Sequence, residues 1–235
     1  MIIAKNISKS YNGKQIIKNV NLEINTNEIT VLFGPSGCGK TTLCRNISLL
    51  EKPDTGTLEI FETSYDFSNN KEFQSKPHSK VNFVFQQLFL WPHLTNKENI
   101  LLAVKELTQK KEELFDQLTN FLNINNILDN YPNQSSLGQK QRVAIARVLI
   151  LEPAFIFFDE ITSALDIVQT KNIIKLIQDL KKQGLGSLII THDLFFMEKI
   201  ADNLIFMNEG KIIELGGTNI LKHPKTEILK KFLDI

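Results

Sequence analysis

The run Gly34, Pro35, Ser36, Gly37, Cys38, Gly39, Lys40, Thr41 constrains this chain more than any other feature. It follows an apolar run, Ile29 to Phe33, and precedes Leu43, Ile47 and Leu50 at helical spacing. Strand, glycine-rich loop and helix in that order are the context that the pattern G-x-x-x-x-G-K-S/T requires. Glycines let successive backbone N–H groups turn inward onto phosphate oxygens. The helix expected to start at Lys40 aims its positive dipole end at the same point. Lys40 adds a cation for the β- and γ-phosphates, and the Thr41 hydroxyl is placed to bind Mg2+. Thr42, the next residue, is counted with the same nucleotide-contact set. A chance glycine turn would lack the flanking strand and helix.

The rest of the chain alternates strand and helix patterns. Ile2–Tyr11 and Lys14–Ile24 read as strands joined by an Asn12-Gly13 turn. Pro53 to Gly56 is a turn, and Thr57 to Phe61 returns as a strand. Residues 63–80, rich in Asn, Ser and Lys, read as a surface loop, followed by a strand at 81–85. Residues 96–130 carry helical periodicity and read as an insertion. A helix at about 137–151 leads to a buried strand at 154–158, then an amphipathic helix at 167–182 and a buried strand at 187–190. A hairpin through Asn208, Glu209 and Gly210 and a short basic amphipathic segment close the chain. Strands alternating with helices predict a parallel α/β sheet.

Two further groups carry chemistry. The apolar strand ending in Phe158 delivers Asp159 and Glu160 at its carboxyl end, where α/β sheets bind ligands. Asp159 would hold Mg2+ directly or through water, and Glu160 would act as general base on the attacking water. An acid pair at a strand end is otherwise an ordinary solvated terminus, and it gains meaning from the phosphate loop upstream. His192 ends the buried strand at 187–190, where it could contact a γ-phosphate or orient water beside Glu160; alone, it would read as a structural histidine.

Composition narrows the partners. The formal net charge is +1, which gives no electrostatic case for nucleic acid. The two cysteines, Cys38 and Cys44, form neither a disulfide framework nor a metal-ligand spacing. No apolar run approaches the roughly 20 residues needed to cross a bilayer. The N-terminal residues lack a signal-peptide pattern.

In order and spacing, these motifs resemble those of the ATP-binding cassette (ABC) family over nearly the whole chain. The resemblance implies an α/β P-loop NTPase with a RecA-like core, an antiparallel β-subdomain and an inserted helical subdomain. It assigns residues 1–87 and 151–235 to the core and about 88–150 to the helical subdomain, within one ATPase domain. Tyr11 falls where the family stacks an aromatic ring on adenine. Gln86, of Phe85-Gln86-Gln87, falls where the family has a glutamine that reaches metal and water. Ser163-Ala164-Leu165-Asp166 matches the D-loop, and His192 the switch histidine. The family signature, usually Leu-Ser-Gly-Gly-Gln, aligns with Ser135-Ser136-Leu137-Gly138-Gln139.

The signature departs from the family twice: Ser135 replaces leucine and Leu137 replaces glycine. Ser136, Gly138 and Gln139 match, and Ser136 is a good N-cap, so the helix-end device that grips the partner's γ-phosphate is retained. Ile161 stands where the family often has proline; proline would fix the backbone there, and its loss would loosen the placement of Glu160. The alternative is that these changes are neutral.

Several segments, among them 48–60, 84–100 and 191–216, resemble the polar amino acid uptake branch of bacterial importers. That resemblance implies a peripheral motor on the cytoplasmic face of the inner membrane, a second ATPase copy with homodimer expected, transmembrane permease subunits and, indirectly, a substrate-binding protein. Two alternatives stay open: the ATPase of an exporter or lipid/lipoprotein-handling complex, and a degenerate nucleotide-binding partner in a heterodimer. Nucleic-acid roles in this family go with tandem cassettes or long insertions, neither of which is present.

Overall fold

The computed structural model describes residues 1–68, 80–162 and 165–234. Ser163 and Ala164 of the expected D-loop, and residues 69–79 of the expected surface loop, lie outside the described residues.

The chain begins with β1 (Ile2–Tyr11), β2 (Lys14–Ile24) and β3 (Ile29–Phe33). The phosphate-binding run then opens α1 (Lys40–Ile47), followed by β4 (Thr55–Ile60), β5 (Thr63–Asp66) and β6 (Val81–Val84). Next come α2 (Asn96–Leu101), α3 (Gln109–Phe121), α4 (Leu137–Leu149) and β7 (Phe155–Asp159). The last elements are α5 (Ile167–Lys182), β8 (Gly186–Ile190), α6 (Leu194–Ile200), β9 (Asn203–Asn208), β10 (Lys211–Gly216) and α7 (Glu227–Leu233).

The strands form two sheets. A four-stranded antiparallel sheet runs β2-β1-β4-β5, and a six-stranded sheet runs β10-β9-β3-β8-β7-β6. In the larger sheet β6, β7, β8, β3 and β9 are parallel neighbours, and β10 alone joins antiparallel to β9. This is the RecA-like core with antiparallel sheet and helical insertions that the motifs imply.

Strand alternation explains why the parallel strands are apolar throughout. Val31, Phe33, Ile156, Phe158, Ile189, Leu204 and Phe206 face one core, shared with α4, α5, α6 and α7. Leu32, Phe155, Phe157, Leu188, Ile190, Ile205 and Met207 face the other, shared with α1 and the antiparallel sheet. A strand buried on both faces has no polar side to alternate with.

The structure corrects several boundaries. Residues 63–66 are β5, which pairs with β4, Leu58 opposite Tyr65. It is a short, polar edge strand, so it carries no apolar alternation to read. The helical stretch 96–130 divides into α2 and α3 with a short 3-10 turn at Asn125–Ile127. Thr95 opens it and Thr108 divides it: each hydroxyl caps the helix after it, accepting the backbone N–H of Glu98 and Lys111 respectively. Helix α1 stops at Ile47, so Leu50 lies beyond it, and Leu49 already has φ 61°. Helix α6 is an addition to the expected elements, opened by Asp193, whose carboxylate accepts the Phe196 N–H.

Candidate nucleotide site

Register places the site. Leu32 lies opposite Ile190, Asp159 opposite Ile190, and Val84 opposite Phe158, so β3, β8, β7 and β6 end on one edge of the sheet. The loops leaving that edge carry Gly34 to Thr41, His192, Glu160 and Gln86. A parallel sheet concentrates the carboxyl ends of neighbouring strands in this way, and ligands bind there.

The phosphate loop is shaped by its backbone. Gly34 has φ 146°, and a Cβ there would stand 2.0 Å from the carbonyl oxygen of Met207 in β9. Only glycine fits. Gly39 caps α1 without a side chain, so the first-turn N–H groups face the loop. The Lys40 ammonium donates to the carbonyl oxygens of Gly34 at 2.8 Å and Pro35 at 2.9 Å, and lies 3.9 Å from Cys38 Sγ. Cys38 and Cys44 are both buried free thiols.

Opposite the loop, the Thr41 hydroxyl donates to the Asp159 carboxylate at 3.1 and 3.2 Å. Asp159 is buried, and that burial, reinforced by the neighbouring Glu160 charge, raises its pKa above the ordinary value although the Thr41 hydrogen bond pulls it down. Glu160 has φ 48°, and its N–H donates to the Ile190 carbonyl at 2.9 Å, so the chain turns sharply there. Its carboxylate accepts the Gln86 side-chain amide at 3.1 Å, and His192 Nδ1 lies 4.0 Å away. Thr41 with Asp159, and Gln86 and His192 with Glu160, are therefore adjacent clusters, drawn together from residues distant in the chain.

Tyr11 ends β1 with its ring partly exposed. Its hydroxyl donates to Glu51 at 2.5 Å, and its pKa is pushed up to about 12, first by burial and then by Glu51. Ser136 caps α4: its hydroxyl accepts the Gln139 N–H at 3.3 Å, and Gln139 Oε1 accepts the Ser136 N–H at 2.8 Å. Gly138 follows in the first turn. Asp166 caps α5, accepting the Gln169 N–H at 2.7 Å. Among the described residues no hydrogen bond joins Ser136, Gly138 or Gln139 to the phosphate loop of the same chain.

The departures from the signature have local reasons. Ser135 is 7% exposed, and its hydroxyl accepts the side-chain amide of the buried Asn96 at 2.9 Å. A polar pair thus stands where a leucine would pack. Leu137 is 37% exposed at the first position of α4, so its bulk lies outside the cap. Ile161 is 2% exposed and packs in the core. The expected loosening beside Glu160 is met by other restraints, since Ile161 is anchored at both side chain and carbonyl.

Two residues of α4 escaped the sequence reading. Gln141 Nε2 donates to the Ile161 carbonyl at 2.7 Å. The Arg147 guanidinium donates to the carbonyls of Leu88 and Phe89, each at 2.7 Å, and so holds the chain that follows Gln86. A signal existed for the first. Gly138, Gln141, Ile145 and Val148 share the buried face of α4, and a glutamine on such a face must be hydrogen-bonded.

The sequence profile of the ABC transporter family matches residues 17–163. The arginine transport ATP-binding protein ArtP of Haemophilus influenzae is 37% identical over 241 residues, covering 99% of this chain and 98% of that protein. The glutamine transport ATP-binding protein GlnQ of Escherichia coli is 38% identical over 238 residues, with 99% and 98% covered. Among solved structures, the dimeric bacterial ABC transporter cassette MJ0796 superposes with a TM-score of 0.80 at 30% identity, covering 93% of this chain and 99% of that one. CbiO1 of Clostridium perfringens, part of the ABC transporter complex cbiONQ, superposes with a TM-score of 0.84 at 27% identity, covering 95% and 91%. Sequence and fold agree along almost the full chain, which therefore belongs to the ABC transporter family, as an ATP-binding and ATP-hydrolysing subunit closely related to the bacterial polar amino acid uptake ATPases.

Proposed function

We propose that this chain is the motor of a polar amino acid importer, hydrolysing Mg·ATP at composite sites between two copies arranged head to tail. The observation that carries the chemistry is the convergence of Thr41, Asp159, Glu160, Gln86 and His192 on one sheet edge beside the phosphate loop. In this reading residues 1–87 and 151–235 form the nucleotide-binding core and about 88–150 the helical subdomain.

The roles follow from the chemistry of each group. Backbone N–H groups from Ser36 to Thr42, at the start of α1, bind the phosphates, Gly34 and Pro35 shape the loop beside them, and Tyr11 stacks on the base. Lys40 supplies positive charge where charge develops on the transferred phosphoryl group. The Thr41 hydroxyl and Asp159 carboxylate, 3.1 Å apart, are a hard-oxygen pair that fits Mg2+, which takes only one or two protein oxygens beside phosphates. When bound, Mg2+ supplies Lewis-acid neutralisation of the phosphate charge. Glu160 takes the proton from the attacking water, and Gln86 and His192 orient that water from either side.

Ser136, Gly138, Gln139 and Asp166 complete the site of the second copy. Support comes from the absence, among the described residues, of hydrogen bonds from the α4 start to its own loop, and from the dimeric solved relative. No helix among the described residues is long and apolar enough to cross a membrane. Separate permease subunits span the bilayer in this reading, the chain sits on the cytoplasmic face, and a substrate-binding protein delivers cargo. The arginine and glutamine transport relatives support that cargo class.

The test is reconstitution with the permease that co-purifies with the chain. ATP-dependent uptake of labelled arginine or glutamine into proteoliposomes, lost in Glu160→Gln, is expected. ATP turnover that drives efflux of another solute, or a permease that ignores every polar amino acid, would contradict the import reading.

A further inference from the structure

We propose that Gln141 is a positioning residue for hydrolysis, holding Glu160 through the carbonyl of Ile161 and tying the base to helix α4. It rests on the reading of Glu160 as base.

Glu160 is in an awkward place. It has φ 48°, a conformation that costs a non-glycine residue energy, so its surroundings must over-determine it. On one side its own N–H is fixed to Ile190 in β8 at 2.9 Å. On the other side the chain is fixed at the next residue. The Ile161 side chain is locked in the core, and its carbonyl accepts from Gln141 Nε2 at 2.7 Å in a buried setting. The peptide before Glu160 is thus tied to β8 and the peptide after Ile161 to α4, so the two residues are held from both ends.

Gln141 is itself committed to that bond. It is 5% exposed, and its Oε1 is buried with no hydrogen-bond partner among the described residues. A glutamine kept only for packing would lose nothing by becoming apolar, because its own acceptor is unsatisfied. Its amide donor is what the carbonyl of Ile161 requires. Gln141 also lies little more than one helical turn from Ser136, the cap at the end of α4 that faces the partner's nucleotide in the head-to-tail reading. A shift of α4 is therefore passed to the residue after Glu160 through one hydrogen bond.

The experiment is a double-mutant cycle on ATP turnover with Gln141→Ala and Glu160→Gln. Gln141→Met serves as a variant of similar size that removes the donor without adding a charge, should the smaller side chain impair folding. We expect both Gln141 variants to lose about tenfold to a hundredfold in kcat, as small misplacements of a catalytic group do, with ATP affinity unchanged. In the Glu160→Gln background, Gln141→Ala adds no further loss, because the group it positions is already gone. Unchanged kcat, a loss of ATP affinity in proportion to kcat, or additive losses in the cycle would overturn the proposal while leaving Glu160 as base. Full turnover in Glu160→Gln alone would overturn the functional reading, and this inference with it.

Discussion

The phosphate loop and the start of α4 are both glycine-containing helix starts, yet they tolerate change differently. At Gly34 a single added carbon would meet a backbone carbonyl at 2.0 Å, whereas at Gly138 it would meet the flexible Gln169 side chain at 3.4 Å. The loop is walled by β9 and the core beneath it, so only its exact backbone fits. The start of α4 is an exposed, capped helix end, where Ser136 and Gln139 satisfy each other and neighbours can vary. Of the two departures from the signature, Leu137 lies on that exposed end and Ser135 is buried against Asn96, whereas Gly34 to Thr41 agree with the motif in full.

The largest effect expected from that contrast is in the loop. Gly34→Ala should displace β9 or the loop and weaken ATP binding about a hundredfold or more, equal to about 3 kcal/mol, in a fluorescent-nucleotide titration. Gly138→Ala should leave the ATP affinity of the monomeric chain intact, because in the head-to-tail reading Gly138 meets only the partner copy's nucleotide. Equal effects at the two glycines would break the comparison.

Asp159→Asn comes next. Turnover should fall about a hundredfold or more, because in the proposed mechanism Asp159 is the charged group that holds Mg2+, directly or through water. Stability of the nucleotide-free chain should move the other way. Burial raises the Asp159 pKa, so the native chain holds that proton to higher pH than the unfolded chain. The stability associated with the protonated form is complete below the ordinary value of 3.8 and is lost as pH rises through the raised value. At neutral pH Asp159→Asn should therefore raise Tm, and the gain should shrink as pH falls toward 3.8. A Tm that drops at neutral pH would contradict the assignment.

Smaller effects belong to the signature. Ser135→Leu removes one of the two acceptors of the buried Asn96 amide, leaving the Ile127 carbonyl, and should cost about 1–3 kcal/mol in chemical denaturation, although it restores the commoner residue. A stabilising effect would show that the Asn96 pair is dispensable. Leu137→Gly should cost at most about 1 kcal/mol from helix propensity and leave turnover within about twofold. A tenfold rise in turnover would show that Leu137 obstructs the partner's nucleotide.

What the residues announced in advance follows the same physical line. Gly34 to Thr41 was legible because its function is a backbone shape that only a fixed glycine spacing allows. Val31, Phe157 and Ile189 were legible as buried strands because both faces are apolar. β5 was hidden because Thr63 to Asp66 is a polar edge. Gln141 and Arg147 were hidden because a sequence shows a polar residue on a helix but not the carbonyl across from it, and Ser135 reads as a departure from the signature until Asn96 stands beside it.

The most direct test of the account is steady-state Mg·ATP hydrolysis by the purified chain beside Glu160→Gln, with oligomeric state followed in the presence of ATP. The account predicts turnover by the natural chain, and a variant that binds ATP, accumulates as a dimer and keeps only a small residual turnover. Equal turnover by both proteins would contradict it.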